Sequence, residues 1–418
     1  MMASAISAFS QTQDSPDSIS RKPGITISLI TCWPGDEVYE LCGHEAVRVR
    51  GEGIDSVWNY GTFDFNAPNF LYRFVKGETD YMLSSYPFIW FMPEYRQNRR
   101  HVVEQELNLT QDEAERFLEL LRKEALPQNR TYRYNYVRDN CATRIVARLD
   151  EALGKKVIYT DSVRHGTFRQ EMRTFHVNYP WYQFGIDLAL GSGIDMPLKG
   201  QDEMFVPLDM MQRVATARTS DGRPLVRATH VLNEGIPDAT LPPTPWWGTP
   251  VFLSVVTLLL TLGICVFDGW KKRISRPWWT FYFGLCGLAG CVVAFLTFVS
   301  EHEATSPNAL IVWLNPLQLL TSICIWWRRL RHVALIMNWY NLTGVGILML
   351  LWPFQPQSAN PAFFPLMACA VVMGGTYAII VRNKSLTRSD NSLSNATRTL
   401  LNPASTHHKN RKTTPRKR

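Results

Sequence analysis

Two patterns of apolar and polar positions divide this chain. Up to about residue 231 the apolar residues come in short runs that suit strands and amphipathic helices. Residues 26–33 (TISLITCW), 45–50 (EAVRVR), 55–61 (DSVWNYG) and 80–86 (DYMLSSY) read as strands, separated by turns rich in Gly, Asp and Pro. Thr110 with Glu113 makes a capping box, and Phe117, Leu120 and Leu121 follow on one helical face. A second helix opens at RDNCATRIVARLDEAL, where Ile145, Leu149 and Leu153 share a face and Asn140 is the N-cap residue. Strands and helices are segregated, so the expected class is α+β. Residues 160–215 carry no pattern that assigns them.

From residue 248 the pattern changes. The runs 248–267, 279–300, 309–327, 333–354 and 363–381 are apolar and uncharged. Each has roughly the 20 residues that a hydrocarbon core of about 30 Å requires. Buried helices of a large soluble domain are the plainer reading, but five runs in succession, flanked by Trp246, Trp247, Trp278 and Trp279, favour membrane spans. The expected organisation is an N-terminal segment (1–24), a folded domain (25–231), a Pro-rich linker (232–247), five spans (248–382) and a basic tail (383–418). Asn315, Asn338 and Asn341 fall inside spans, where interhelical hydrogen bonding is the expected role and headgroup binding the alternative.

Charge refines this layout. The net charge is +8, yet from Arg382 onward ten Lys/Arg face one Asp, so the tail accounts for all of it. Residues 1–244 carry 27 Lys/Arg against 32 Asp/Glu, a balance that excludes an extended nucleic-acid surface. Lys271, Lys272, Arg273 and Arg276 mark the first loop as cytoplasmic, and Arg328, Arg329 and Arg331 mark the third. The second loop carries Glu301 and Glu303 without Lys or Arg. The front domain is then expected outside and the tail inside. Residues 1–15 lack the basic start and apolar stretch of a signal peptide, so ASAISAFSQ reads as the end of such a signal.

Eight cysteines divide into three in the front domain (Cys32, Cys42, Cys141) and five in the apolar runs. No Cys or His spacing suggests zinc, and no cofactor is expected. Cys32 and Cys42 are a possible disulfide outside the cytoplasm. Cys141 draws attention because a thiol in the first turn of a helix feels the positive end of the dipole, which favours the thiolate. Its backbone amide is a candidate arm of an oxyanion hole. The competing reading is a buried structural cysteine. His44 is the candidate base, since Gly43 permits close backbone approach and the strand behind it is rigid; His101, His165, His176 and His230 compete. Asn59 on the next strand is the candidate third group that orients the imidazole, with Tyr60 and Asp64 as neighbours. Arg144, one turn past Cys141, and Tyr60 are candidate substrate contacts; Asp139 reads as a capping or surface residue. The order His then Cys reverses that of papain-like enzymes, and a circularly permuted papain-like fold produces it.

The strings TCWPGDEVYELCGHEAVRV, VWNYGTFDFNAPNFLYRFVKGETDYML, YRYNYVRDNCATR and FGIDLALGSGIDMP together resemble the Lnb N-terminal periplasmic domain family over roughly residues 26–210. The spans resemble the multi-span region of its longer members. The resemblance implies a permuted papain-like (NlpC/P60-like) periplasmic domain on a bacterial inner-membrane protein. It further implies a link to lipoprotein N-acylation, with a phospholipid acyl donor and a diacylglyceryl lipoprotein acceptor. Carried onto this chain, it implies Cys141 as nucleophile and His44 as base. The chain departs from the family pattern at Cys42, where an aromatic is usual, and at Glu45, where a small residue is usual. Glu45 would raise the basicity of His44 if it faced the site, but alternation along the strand turns it away. Two other readings stay open: a cysteine amidase or peptidase of cell-wall peptide, and a non-enzymatic membrane sensor or scaffold.

Overall fold

A computed structural model describes residues 24–37, 40–51, 53–64, 66–159, 166–236 and 243–401, with side chains to 382. The expected signal remnant, residues 237–242 of the Pro-rich linker and the tail from 402 lie outside the described residues. The chain forms two compact bodies. The first comprises residues up to Phe70, Thr79–Arg164 and Lys199–Thr240; the second comprises Leu71–Glu78, His165–Leu198 and everything from Leu241.

The first body is built on an antiparallel sheet. In chain order its strands and helices begin with β1 (Thr26–Cys32), β2 (His44–Gly51) and β3 (Ile54–Thr62). After α1 (Phe70–Lys76) come β4 (Asp80–Pro87), α2 (Phe88–Gln97), β5 (Val102–Leu107), α3 (Gln111–Glu124), β6 (Thr131–Arg133) and α4 (Cys141–Ala152). The strand pair β7 (Val157–Ile158) and β8 (Arg218–Thr219) brackets in sequence α5 (Phe168–Phe175), α6 (Pro180–Ala189) and α7 (Pro207–Thr216), and β9 (Val226–Asn233) follows; of these helices α5 and α6, like α1 beyond Phe70, belong to the second body. Among the described residues the main sheet has seven strands in the order β6-β4-β3-β2-β1-β5-β9.

Both faces of the central strands are covered, which explains why β1 and β2 read as continuous apolar runs. Ile27 and Leu29 of β1, with Val47 and Val49 of β2, pack on Phe117 and Leu121 of α3 and Ile145 and Leu149 of α4. Ile30, Cys32, Ala46 and Val57 face Phe91, Met92 and Tyr95 of α2. The alternation places a buried Arg48 on the α2 face. It is held by Asp55 at 2.8 Å and Glu104 at 3.1 Å, beneath the Phe88 ring. The expected capping box of α3 is present.

In the second body, Arg169 of α5 is 1% exposed and every nitrogen of its guanidinium is used. It donates to Asp187 and Asp195 and to the carbonyls of Leu190 and Gly191, at 2.7–3.1 Å. Asp187 also accepts from Arg173 at 3.0 Å and from Asn360 at 3.0 Å. This network gathers the unassigned string FGIDLALGSGIDMP to the body that holds the spans, rather than to the sheet.

The remaining helices are α8 (Pro250–Lys271), α9 (Arg276–Phe298), α10 (Gln318–Cys324), α11 (Arg331–Tyr340), α12 (Gly346–Leu351) and α13 (Phe363–Leu401). Among the described residues four helical stretches are long and apolar enough to cross a membrane: Pro250–Lys271, Arg276–Phe298, Arg328–Phe354 and Phe363–Arg382. The third expected span, 309–327, is not one of them. It starts with a single tight turn (Ala309–Val312), breaks at Asn315 and Pro316, and continues as the seven-residue α10. Pro316 brings no N–H to a helix ladder, and Asn315 starts the next turn by accepting the Leu317 N–H at 3.1 Å.

This broken segment nevertheless follows α9 in antiparallel fashion along its whole length. Thr305 donates to the Leu296 carbonyl at 2.6 Å, and Trp326 donates to the Thr280 hydroxyl at 2.7 Å. Between them Gly290 and Gly287 let the backbones meet. A Cβ on Gly290 would fall 2.4 Å from the Asn315 carbonyl carbon, and one on Gly287 would fall 2.7 Å from the Leu319 nitrogen. Of the three asparagines in the expected spans, Asn341 exchanges hydrogen bonds with Gln318. Asn315 and Asn338 donate to carbonyls of their own segments.

Candidate functional site

Cys141 is the first residue of α4, and the turn that starts this helix is fixed by Asn140. The Asn140 Oδ1 accepts the N–H groups of Ala142 and Thr143 at 2.9 and 3.0 Å. Thr143 returns the bond by accepting the Asn140 N–H at 2.8 Å. The Asn140 Nδ2 donates to the carbonyls of Tyr136 and Phe205, both at 2.8 Å. Asn140 thus uses both acceptor and both donor positions of its amide, and the start of α4 is tied to two loops at once.

The Cys141 sulfur receives the backbone N–H of Glu45, with further N–H groups from Ala142 and Cys141 itself. The sulfur is buried, at 8% exposure. Burial pushes the thiol up to about 11, ahead of the lowering by the Glu45 N–H and the raising by the Glu45 carboxyl. This runs against the lowering expected from the helix start. The helix start does supply N–H groups, but loss of water outweighs them.

His44 opens β2, immediately before the residue whose N–H meets the sulfur. Gly43 precedes it with φ 78°, and a Cβ there would fall 2.6 Å from the Cys32 carbonyl oxygen, so only glycine admits this approach to β1. The β2–β3 ladder runs from Gly51↔Ile54 to Val47↔Trp58 and stops there. Beyond its last pair the His44 Nε2 and the Asn59 Oδ1 meet at 3.0 Å. An amide oxygen only accepts, so Nε2 carries the proton and Nδ1 holds the lone pair. Burial lowers the His44 pKa from its ordinary value; the Asn59 bond opposes this, and the Arg100 charge adds to it. The site at rest is therefore a neutral thiol and a neutral imidazole, not an ion pair.

Glu45 had been expected to turn away from His44. It does, but into the core shared with α4. It is 0% exposed, and its Oε2 accepts from Thr31 Oγ1 at 2.9 Å. Burial raises its carboxyl to about 8, against the lowering effect of Thr31. In the sequence this residue stood out only as a departure from the family pattern.

Two candidate substrate contacts need correction. Tyr60 is 1% exposed, lies within the core packed on α4, and donates its hydroxyl to Glu124. Alternation put it on the opposite face from Asn59. Arg144 forms a bidentate pair with Asp139 at 2.6 and 2.9 Å and lies over the Tyr132 ring. Its planar fork is already matched by a carboxylate, and Asp139 is an ion-pair partner rather than a cap. Asp64 caps its own turn by accepting the Asn66 N–H at 2.8 Å.

Among the competing histidines, His101 pairs with the Glu234 carbonyl, His176 pairs with Gln183 in the second body, and His230 is exposed on β9. His165 lies outside the described residues. Cys32 and Cys42 are not joined by a disulfide; Cys42 contacts the Tyr136 hydroxyl at 3.0 Å. Among the described residues no group of three or more His, Cys, Asp or Glu is placed to hold a metal ion.

A row of rings adjoins the thiol. Tyr132 and Tyr134 are electrostatic neighbours of Cys141. Tyr134 stacks on Tyr81 at 4.4 Å between centroids, Tyr81 meets Phe63 at 5.0 Å, and Phe63 stacks on Phe70 at 5.6 Å. All four of these rings keep part of their surface exposed.

Comparison with curated proteins and with solved structures returns no match. Family models do match, in tandem: residues 13–173 match the Lnb N-terminal periplasmic domain, and residues 243–385 match the Lnb transmembrane domain. The first match contains His44, Asn59 and Cys141, and the second contains the four long apolar helices together with the broken segment. The chain is a member of the Lnb family, a membrane protein with a periplasmic N-terminal domain followed by transmembrane helices.

Proposed function

We propose that this protein is a thiol-dependent acyltransferase that moves a fatty acyl chain from a phospholipid to the N-terminal amine of a lipoprotein. What supports the reading is a buried Cys141 at the start of α4, packed in one core with β2, whose first residue His44 has its tautomer set by Asn59. With the thiol at about 11, only about one site in ten thousand carries a thiolate at pH 7, so proton removal accompanies attack. His44 Nδ1 takes the thiol proton as sulfur adds to the ester carbonyl. The backbone N–H groups at the start of α4 stabilise the oxyanion. The C–O bond breaks, the imidazolium returns its proton to the departing lipid hydroxyl, and an acyl-thioester remains on Cys141. The amine of the acceptor then adds to the thioester. The C–S bond breaks, and the amine proton passes through His44 to the sulfur, giving an amide and a free thiol.

The partly exposed rings of Tyr134, Tyr81, Phe63 and Phe70 give an acyl chain an apolar surface next to the sulfur. The circularly permuted papain-like arrangement accounts for the order His44 then Cys141 on strand and helix. Five crossings also belong to this reading, the third made by the broken segment along α9. They put the basic loops and tail on the cytoplasmic side of the inner membrane, opposite the periplasmic domain.

The test is transfer itself. The full-length protein in detergent is given phospholipid and a synthetic diacylglyceryl-cysteine lipopeptide, and the peptide is weighed. One added acyl chain, on the amine, with wild type and none with Cys141→Ser supports the proposal. An unmodified lipopeptide with folded wild type, together with cleavage of cell-wall peptide, overturns it in favour of hydrolysis.

A further inference from the structure

Glu45 has no part in the reaction as written, yet it is the most unusual group near the sulfur. It stands opposite Thr31 in the β1–β2 register, one position from the Cys32↔His44 pair. Thr31 is itself fully buried and donates to Oε2 at 2.9 Å, while Oε1 is buried with no hydrogen-bond partner. Among the described residues no Lys or Arg pairs with it. A bare carboxylate oxygen in such a place is costly, and a proton on it removes most of the cost. The titratable groups that feel its charge are Cys32 on β1 and Cys141 on α4. His44, its neighbour on β2, is instead affected by Asn59 and Arg100.

One residue therefore reaches the sulfur in two ways. Its N–H donates to the sulfur and favours the thiolate; its carboxyl, when charged, opposes the thiolate. We propose that Glu45 is a positioning residue for Cys141: its carboxyl, anchored on Thr31, sets how readily the thiol gives up its proton, while its main-chain N–H steadies the sulfur. The proposal rests on the reading of Cys141 as the nucleophile. A neutral Glu45 leaves only the N–H contacts acting on the sulfur, and an ionised Glu45 keeps the proton on it. Burial holds Glu45 neutral through the neutral range, so the restraint sets in on the alkaline side. The two groups titrate as a coupled pair, each making the other's proton harder to remove.

The experiment measures the thiol without requiring turnover. Full-length wild type, Glu45→Gln and Thr31→Val in detergent micelles are alkylated with iodoacetamide between pH 6 and 10. The Cys141 peptide is quantified by mass spectrometry, and folding is checked by circular dichroism and gel filtration. Alkylation follows the thiolate fraction. The expected result is coincident Cys141 rates for wild type and Glu45→Gln below about pH 7, with the variant about three- to tenfold faster above pH 8, a coupling of half to one pKa unit. Thr31→Val keeps the carboxyl but removes its anchor, so the wild-type break moves to higher pH. Superimposed profiles for wild type and Glu45→Gln across the whole range overturn the proposal; if that variant does not fold, an unmoved break in Thr31→Val overturns it. Failure of the acyltransferase reading is separate, because alkylation needs neither donor nor acceptor. A divergence in these profiles with no acyl-thioester under any lipid condition leaves the coupling standing and removes the reaction.

Discussion

Two buried polar clusters in this molecule teach opposite lessons. Around Arg169 every guanidinium nitrogen has an acceptor, and one of its two carboxylates, Asp187, is shared with Arg173 and Asn360. Such a network is fully satisfied and has nothing left to do but hold segments together. Around Cys141 the balance is left incomplete. The thiol is raised, the imidazole is lowered, and Glu45 Oε1 is bare. Complete pairing marks a structural joint here, and under the proposed function the incomplete pairing is where protons would move.

The contrast breaks most sharply at His44. His44→Ala is expected to lower acyl transfer by about 10²–10⁴-fold, read in the lipopeptide assay, because the thiol then loses its proton acceptor. Its thermal unfolding should stay closer to wild type, since the ring's hydrogen bond among the described residues is a single one, to Asn59. Arg169→Met should do the reverse. It leaves Asp187 and Asp195 buried without their central cation, at a cost of about 3–5 kcal/mol. The readout is a large drop in melting temperature and in the yield of folded protein. A variant that unfolds no sooner than wild type would remove the distinction between the two clusters.

Asn140→Ala falls between these cases, since it removes an N-cap and two loop contacts together. About 1–2 kcal/mol of stability is expected to go with the cap, and activity should fall with it because the N–H groups at Cys141 lose their fixed aim. Asn140→Asp keeps the cap but not the donors to Tyr136 and Phe205, and should recover part of the loss. Glu45→Gln is expected to change how stability depends on pH. The wild-type carboxyl sits at about 8 in the fold against 4.5 when free. As pH rises through that window the unfolded chain releases a proton that the folded chain keeps, so stability falls, and it levels off above about 8. Gln removes this dependence, so the melting temperatures of variant and wild type should separate between pH 5 and pH 8, the variant higher at pH 8.

Much of the site was legible because it rests on local signals. The cap at Asn140, the start of α4 at Cys141, and the neighbouring strands bearing His44 and Asn59 follow from residue type and alternation. What was not legible depends on neighbours far along the chain. The helix-start argument for a thiolate is local, whereas the burial that defeats it comes from the packing of α4 on β2. Tyr60 and Arg144 lie near the site in sequence, but one is committed to Glu124 and the other to Asp139. Pro316 was hidden inside an apolar run, and hydropathy alone does not distinguish a straight helix from a broken one packed on Gly287 and Gly290. Likewise, the grouping of residues 166–198 with the spans depends on Asp187 accepting from Asn360 and Arg173 donating to the Ala359 carbonyl, partners far along the chain.

The central claim is that Cys141 carries the acyl group. Intact-mass analysis of full-length wild type and Cys141→Ser after incubation with phospholipid alone tests it most directly. The account predicts one fatty-acyl mass on wild type, removed by neutral hydroxylamine and absent from the variant. A folded wild type that gains no adduct under any lipid condition, or an adduct that persists on Cys141→Ala, would contradict it.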